Sequence, residues 1–391
     1  MVDTSLYIFN PDHDMALANS DPNYMAPAAA RRLALDVALL PIWYAKPQDF
    51  VLAVSNYNQA YLDEMRNYFP QLPSLLTEPE VAEMELMPIP WGWDPAIRKQ
   101  LYLSGISESF LPDSKQMEHI RSCSHRSVAV DLLPSLLSNN DFCGKSFYLT
   151  DIETIRDFVE SRSNCLLKAP LSGSGKGLNW CKGVFTSHIC NWCVNVLKQQ
   201  GGVVGEPLYN KVVDFAMQFK PDISGTVSFQ GYSLFYTHPG GAYDGNFLGT
   251  NKDIESQLST YVCESSLNTL KSKLEKELSI RLNNTYTGYL GVDMMICEVD
   301  GRYCIHPCVE INLRMNMGMV ARLFYDRYVC EGENGIYRIV FHGSNEELQT
   351  EHKALQQEHP LIVSNGRIEK GYLPLTPITP QSKYNAYALI Y

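Results

Sequence analysis

Residues Val309 to Met315 most strongly restrict the fold of this chain, because polar and apolar side chains alternate along them. In a β-strand, alternate side chains lie on the same face. A strand here therefore presents a carboxylate, a carboxamide and a guanidinium together, from Glu310, Asn312 and Arg314. Its other face is apolar and needs a core to pack against. An ordinary surface strand with a polar outer face would show the same alternation.

The polar face of this strand suits a site for Mg²⁺ and phosphate. Hard cations prefer oxygen ligands, and Mg²⁺ usually shares its coordination shell with nucleotide phosphates. Arginine adds a fixed fork of donors for anionic oxygens.

A second segment, Gly291 to Ile296, contains one carboxylate, Asp293, in an otherwise apolar strand. The turn at Asp300-Gly301 predicts that this strand forms a hairpin with the first one. Two facing carboxylates repel unless a cation lies between them, so Asp293 and Glu310 are predicted metal ligands. The alternative for Asp293 is an ion pair with a nearby cation. Glu298 is the reserve ligand, because Asp293 and Glu310 are far apart in sequence for a hairpin.

Two further stretches carry possible nucleotide contacts. Lys168 ends an apolar strand, and a Gly/Ser-rich loop follows from Ser172 to Gly177. Such a loop can fold backbone N–H groups over phosphates, although its spacing matches neither the Walker A loop nor the dinucleotide fingerprint. Further on, Glu206 ends one strand and Asp214 begins another, which suits adenine and ribose binding. A plain hairpin loop and a plain connection are the alternatives.

The composition sets the class of protein. The chain has 391 residues, 45% hydrophobic and 19% charged, which is enough for several folded domains. Its net charge of −11 disfavours a nucleic-acid partner. No apolar run is long enough for a transmembrane helix, and the N-terminus lacks a signal-peptide pattern. We therefore expect no membrane partner and a cytoplasmic location.

In this order, the three stretches resemble the ATP-grasp superfamily of the carboxylate-activating ligase type, over roughly residues 120 to 325. The resemblance implies a mixed α/β and α+β fold, with a small N-terminal pre-ATP-grasp-like α/β domain before a two-lobed ATP-grasp fold. The expected divisions are residues 1–115 for the first domain, 116–207 for the small lobe with its glycine-rich lid, 208–330 for the large lobe with the metal site, and 331–391 for a C-terminal extension packed on the core.

The resemblance also implies roles for single residues. Lys168 would contact the phosphates, as would Arg126, which is assigned by its position in the chain. The lid would comprise Ser172, Gly173, Ser174, Gly175 and Lys176. Glu206 and the backbone of Leu208 would bind adenine, and Asp214 would bind ribose. Asp293, Glu310 and Asn312 would hold Mg²⁺, usually as two ions and with Mn²⁺ as a substitute, while Arg314 and Lys168 would act catalytically on the transferred phosphoryl group.

The activity implied is ATP-dependent ligation of a small-molecule carboxylate to an amine or similar nucleophile through an acyl phosphate. A small-molecule kinase and a nucleotide-binding regulatory protein without turnover are the alternatives. Substrate contacts are expected at the polar turn Asn10 to Asp14 and at the glycine-rich segment 238–250, for which an Asx turn and a hairpin loop are the structural alternatives. The identity of the substrates and the oligomeric state stay open.

The sequence also predicts local structure. Asp94 should cap a helix that begins at Pro95. Thr150 and Glu153 should form a capping box. Residues 254–281 should form one long helix, residues 238–249 a loop, and the proline-containing tail after residue 329 an irregular wrap.

Overall fold

The computed structural model describes residues 4–173, 177–283 and 285–391. Their strands form two sheets of four strands and one of nine. Three residues of the predicted lid, Ser174, Gly175 and Lys176, lie outside the described residues. Within the described ranges, no helix is both long enough and apolar enough to cross a membrane.

The first sheet is small and parallel. Its strands are β1 (Ser5–Ile8), β2 (Phe50–Leu52), β3 (Ser74–Leu76) and β4 (Met87–Pro90), in the spatial order β3-β2-β1-β4. Its helices are α1 (His13–Asn19), α2 (Ala28–Asp36), α3 (Tyr57–Arg66), α4 (Glu78–Val81) and α5 (Pro95–Leu103). The strand order reverses beside β1, so the segments after β1 and β4 meet at the sheet edge where open α/β sheets bind ligands. The predicted cap is confirmed, since Asp94 accepts hydrogen bonds from the N–H groups of Ala96 and Ile97.

Helices α6 (Ser114–Cys123) and α7 (Ser127–Leu136) lead to the second sheet. Its strands are β5 (Phe147–Leu149), β6 (Cys165–Lys168), β7 (Leu178–Cys181) and β8 (Val203–Pro207), with helices α8 (Ile152–Glu160) and α9 (Ser187–Gln200). The spatial order is β5-β8-β6-β7, and every pair is antiparallel. Leu166 lies opposite both Trp180 and Glu206. Because cross-strand partners share a face, these three side chains point the same way.

The third sheet has nine antiparallel strands. They are β9 (Asn210–Pro221), β10 (Val227–Thr237), β11 (Tyr243–Leu248), β12 (Leu290–Val299), β13 (Arg302–Asn312), β14 (Gly335–Phe341), β15 (Ile362–Ser364), β16 (Arg367–Pro374) and β17 (Tyr384–Ile390), in the order β13-β12-β9-β10-β11-β14-β17-β16-β15. Its helices are α10 (Asn251–Leu258), α11 (Glu264–Leu282), α12 (Met317–Tyr328) and α13 (Asn345–Glu358). Five leucines of α11, at helical spacing from Leu267 to Leu282, are buried in the core beneath β9, β10 and β12. The opposite face of these strands remains available for a cleft.

Two predictions of helix structure are wrong. Asp151, one residue after Thr150, caps α8 by accepting a 2.8 Å hydrogen bond from the Thr154 N–H. The predicted single helix over residues 254–281 is interrupted at residues 259–263, where the chain turns between α10 and α11.

The glycine-rich segment and the tail are also more regular than predicted. Strand β11 occupies the end of the supposed loop, because it pairs with β10 on one side and β14 on the other. Gly245 allows this close pairing, since a Cβ there would lie 2.6 Å from the Tyr337 carbonyl oxygen. The tail supplies β14, β15, β16 and β17 to the large sheet, and Pro374, Pro377 and Pro380 lie at the end of β16 or beyond it.

Trp43 lies in a core that the first domain shares with the rest of the chain. Trp43 is fully buried, and its indole N–H donates a 2.6 Å hydrogen bond to the Leu375 carbonyl oxygen. Its ring packs edge-on against Phe69 of the first domain and Phe324 of α12. The first domain and the C-terminal residues therefore share one core.

We predict that Trp43→Ala lowers the free energy of unfolding by about 3 to 5 kcal/mol, because it leaves a large cavity and an unpaired carbonyl. Urea unfolding followed by circular dichroism measures this change. The matched control is Trp180→Ala, whose side chain is 47% exposed and which should cost about 1 kcal/mol or less. Equal losses in the two variants would contradict a shared core at Trp43.

Candidate nucleotide and metal site

The second and third sheets, with helices and loops of the first domain, line one cleft of about 360 Å³. Ten predicted site residues line it, namely Arg126, Lys168, Gly173, Glu206, Leu208, Asp214, Asp293, Glu310, Asn312 and Arg314. Ser172 lies in a small adjoining pocket with Glu310 and Asn312. The fold therefore gathers every predicted site residue that lies within the described ranges.

The two predicted metal-binding carboxylates face each other across neighbouring strands. Asp293 of β12 lies directly opposite Glu310 of β13. They are far apart in sequence because both strands continue to the turn at Asp300-Gly301, and the pairing shifts by two residues after Asp293. The reserve residue Glu298 lies near the other end of the hairpin, where it accepts a hydrogen bond from Asn210. Asp293 rather than Glu298 thus shares the cleft with Glu310.

The electrostatics at this point are unfavourable without a cation. Burial, and then the adjacent Glu310 carboxylate, raise the pKa of Asp293 to about 7. The Asn312 amide donates a 2.9 Å hydrogen bond to Asp293 and offsets part of this effect.

Two carboxylates and one carboxamide suit Mg²⁺ chemically. Among residues 4–173, 177–283 and 285–391, no three His, Cys, Asp or Glu side chains are grouped as a complete metal site. An ion bound by Asp293, Glu310 and Asn312 would need further oxygen ligands, and Mg²⁺ typically takes these from water and phosphates.

Arg126 connects the glycine-rich loop to β13, which carries the predicted metal ligands Glu310 and Asn312 and is called the metal strand below. Its guanidinium donates to Glu310 Oε1 at 2.7 Å and to Ser172 Oγ at 2.6 Å. It also donates to the carbonyl oxygens of Ala169 and Ser172. This buried arginine therefore holds the start of the loop beside the facing carboxylates.

Lys168 and Glu206 form a second ion pair. The Lys168 Nζ and Glu206 Oε2 atoms are 2.6 Å apart, and both side chains are buried. The Ser146 hydroxyl donates to the other Glu206 oxygen at 3.2 Å. Leu208 lies close by at the rim of the cleft, where its side chain is half-exposed.

A third pair joins the first domain to the metal strand. Arg314 donates to both carboxylate oxygens of Asp14, through Nε at 2.9 Å to Oδ1 and through Nη2 at 2.8 Å to Oδ2. Burial alone would raise the pKa of Asp14, but the Arg314 guanidinium lowers it below its usual value. The predicted polar turn after β1 thus reaches the site through Asp14. It does so by binding Arg314.

Charges in the cleft are nearly balanced. Its described lining contains four cations and five carboxylates, which are Arg126, Lys168, Lys211, Arg314, Asp14, Glu206, Asp214, Asp293 and Glu310. Asp214 binds Lys211 and accepts a 2.7 Å hydrogen bond from the Thr237 hydroxyl. Each of the four cations already has a carboxylate partner.

Several residues that line the cleft were not predicted from the sequence. Gln218 and Ser233 lie on the cleft face of β9 and β10, and Trp180 lies on the cleft face of β7. Period-2 spacing could have identified Gln218, because Asp214 and Gln218 are four residues apart on one strand. Ser233 and Trp180 have no comparable signal, since their positions depend on strand pairing.

The raised pKa of Asp293 predicts a stability change with pH. The native state holds a proton on Asp293 up to about pH 7, whereas the unfolded chain loses it near pH 4. Without divalent ions, stability should therefore fall as pH rises from about 4 to 7. Asp293→Asn removes this effect, so its unfolding free energy at pH 8 should exceed that of the parent by about 1 to 4 kcal/mol.

Urea unfolding at pH 5 and pH 8 with a chelator tests this expectation. The advantage of Asp293→Asn should be smaller at pH 5 than at pH 8. Asp131→Asn, at an exposed position on α7, is the control and should leave the pH dependence of the parent unchanged. A less stable Asp293→Asn protein at pH 8 would contradict the repulsion between Asp293 and Glu310.

Comparison with known proteins gives matches at the level of structure. No family model matches the sequence, and no curated protein matches it either. Biotin carboxylase from Campylobacter jejuni is 11% identical with a TM-score of 0.51, over 99% of this chain and 87% of that one. The biotin carboxylase domain of 2-oxoglutarate carboxylase from Hydrogenobacter thermophilus is 12% identical with a TM-score of 0.51, over 99% and 85%.

Pyruvate carboxylase from Rhizobium etli is 10% identical with a TM-score of 0.53. The match covers 99% of this chain and 35% of that much longer one. At sequence identities of 10% to 12%, these matches show similarity of fold only. The predicted fold class is confirmed: this chain has the ATP-grasp fold, with a parallel α/β domain ahead of it.

Proposed function

We propose that this protein is an ATP- and Mg²⁺-dependent ligase that activates a carboxylate as an acyl phosphate for attack by an amine or similar nucleophile. One observation carries the proposal. Lys168, Arg126 and Arg314 line one cleft together with the facing carboxylates Asp293 and Glu310, and Arg126 binds Glu310 directly. Phosphoryl transfer depends on such positioning and charge neutralisation more than on covalent help from the protein.

In the proposed arrangement, the adenine lies near Glu206 and the backbone of Leu208, and the ribose lies near Asp214. The exposed edge of Trp180 and the side chain of Leu166 offer apolar cover for the base. Lys168 and Arg126 lie on the phosphate side. Asp293, Glu310 and Asn312 would hold Mg²⁺, which when bound neutralises the charge that develops on the phosphates.

Chemistry would proceed in two steps. A carboxylate oxygen of the substrate attacks the γ-phosphorus, and the bond to the bridging oxygen breaks to release ADP. The nucleophile then attacks the acyl carbon, loses a proton, and displaces inorganic phosphate. Arg314, held by Asp14, would stabilise the phosphoryl group in both steps. The loop that begins at Ser172 and Gly173 would cover the acyl phosphate, because water would otherwise hydrolyse it.

The structural relatives support this reaction class. The Campylobacter enzyme is a complex with a form of ATP, and the Hydrogenobacter domain contains MgADP, ADP and bicarbonate. The cleft of the present chain, between the second and third sheets, can accommodate a nucleotide in size.

The charge balance of the cleft predicts a strict need for divalent ions. ATP carries about four negative charges, and the described lining has one more carboxylate than it has cations. Removal of Mg²⁺ with EDTA should therefore weaken ATP binding at least about 100-fold, because repulsion between like charges costs several kcal/mol. Calorimetric titration with and without excess MgCl₂ measures this effect. Similar affinities in the two conditions would argue against the proposed metal site.

Glu310→Gln tests the metal site directly. We expect it to weaken Mg·ATP binding and to slow ADP release by about 100-fold or more, since a charged Mg²⁺ ligand contributes several kcal/mol. The matched control is Glu298→Gln, which changes the same residue type at the far end of the same hairpin and should leave both quantities unchanged. If Glu310→Gln changes neither binding nor ADP release, the site assignment is wrong.

Product analysis tests the reaction class. ADP release should depend on a carboxylate, and free phosphate should appear together with a joined product when a nucleophile is present. With hydroxylamine as the nucleophile, the product is a hydroxamate. A stable phosphorylated substrate would instead identify a kinase, and ATP binding without any turnover would identify a regulatory protein.

A further inference from the structure

The wall of the cleft beyond the metal strand contains two buried hydrogen-bond donors without an acceptor. We infer that the carboxylate substrate carries, besides its reacting carboxylate, an uncharged oxygen acceptor that binds Gln218 and Ser233, and that it carries no second charge. This inference rests on the proposed ligase function. It narrows the substrate class to monocarboxylic acids with a neutral amide, carbonyl or hydroxyl group.

The donors lie at a defined distance from the metal strand. Gln218 of β9 lies opposite Gly291 of β12, which in turn lies opposite Asn312 of β13. Two strand spacings of ~4.8 Å therefore separate the backbone of Gln218 from that of Asn312. Ser233 follows one strand further on, in β10. A substrate with its carboxylate at the metal strand would extend its other end over these side chains.

The orientation of the Gln218 amide follows from a backbone group. The Met319 N–H is a donor, so the Asn316 atom that accepts its 3.0 Å hydrogen bond is Oδ1. Asn316 therefore turns its Nδ2 group toward Gln218, which accepts at 2.8 Å through Oε1. Gln218 lines the cleft, and its Nε2 group has no acceptor among the described residues.

The free hydrogen of Ser233 is identified in the same way. The Leu234 carbonyl oxygen is an acceptor, so the Asn246 atom beside it is Nδ2, which also donates to Ser233 Oγ at 2.6 Å. Tyr243 donates its hydroxyl to the remaining Asn246 oxygen. Both hydrogens of the Asn246 amide are thus donated, and Ser233, which accepts one of them, has no acceptor among the described residues for its own O–H.

Both donors are enclosed and rigid. Gln218 is 1% exposed and Ser233 is 3% exposed, although both line the cleft. Gly318, in the first turn of α12, packs against them so closely that a Cβ there would lie 2.3 Å from Ser233 Oγ and 2.8 Å from Gln218 Nε2. Both side chains are therefore positioned before a ligand enters, and an acceptor on the ligand would complete their hydrogen bonds.

The same wall offers no partner for a second charge. Its polar side chains are the uncharged Gln218, Ser233, Tyr243, Asn246 and Asn316. Every cation that lines the described cleft already binds a carboxylate. A second carboxylate or an ammonium group would therefore lose its hydration without gaining a counterion, and such burial is unfavourable.

A matched panel of acids tests the inference. Acids of three to six carbons are compared in sets of equal length that end in a methyl group, an amide, a carboxylate or an ammonium group. ADP release and hydroxamate formation are measured with Mg·ATP and hydroxylamine, and binding of each acid is measured separately with Mg·ADP present. At the best length, the amide should exceed each of the other three at least about tenfold in kcat/KM and in affinity.

Two variants identify the donors. Gln218→Glu keeps the oxygen that accepts from Asn316 but replaces the free donor with an acceptor, and Ser233→Ala removes the free hydroxyl. Each should raise the KM for the amide-bearing acid about tenfold or more while leaving Mg·ATP affinity within about twofold. The controls are Gln257→Glu and Ser228→Ala, at exposed positions on α10 and β10, and neither should alter the choice among acids.

The outcomes separate this inference from the proposed function. Turnover that favours the dicarboxylate, the ammonium acid or the methyl-terminated acid overturns the inference and leaves the ligase function intact. Selective binding of the amide without ADP release or hydroxamate supports the pocket and rejects the ligase function. If none of the acids binds or supports turnover, or if both variants retain the parent preference, the inference is rejected.

Discussion

The pairing of β12 with β13 brings two carboxylates, Asp293 and Glu310, to the same point on the sheet face, and the rest of the site is organised around their repulsion. Neither can leave, because their strands are held in register by the core on the other side of the sheet. Burial and the adjacent Glu310 keep the pKa of Asp293 high, so ionising both carboxylates without a cation between them is electrostatically costly. A bound cation would remove this cost. In the proposed function, stability without ligand is exchanged for affinity, as is usual where function requires buried charge.

Other charges in the cleft are arranged in pairs that connect separate parts of the chain. Arg126 connects the glycine-rich loop to Glu310, and Arg314 connects the metal strand to Asp14, which lies 300 positions away in sequence. The second sheet supplies its own pair, Lys168 and Glu206. A nucleotide that enters the cleft must therefore compete with carboxylates for each cation. Under the proposed function, we therefore expect nucleotide binding to require divalent ions.

Beyond the charged region, the cleft wall changes to uncharged amides and hydroxyls. Gln218 and Ser233 are held by neighbours whose own hydrogen bonds end on backbone groups, so their free donors are preorganised. A site built in this way binds a ligand through an uncharged acceptor and disfavours charged groups. The end of the cleft at Asp293 and Glu310 instead suits charged groups. The two ends together describe a substrate with one reacting carboxylate and one neutral polar group.

Local patterns in the sequence determined much of this protein. Alternation along residues 309–315 identified the polar face of β13, and the ordered stretches around Lys168, Glu206 and Asp293 identified the fold. These predictions succeeded because the periodicity of a strand, and the residues next to each other along it, can be read within a few positions of the sequence. Only the tertiary structure decided that Asp14 binds Arg314, that Glu206 neutralises Lys168, and that the tail and the segment before Leu248 join the large sheet. Those outcomes depend on which strands pair and which faces meet, and such contacts between distant residues leave no periodic signal in the chain.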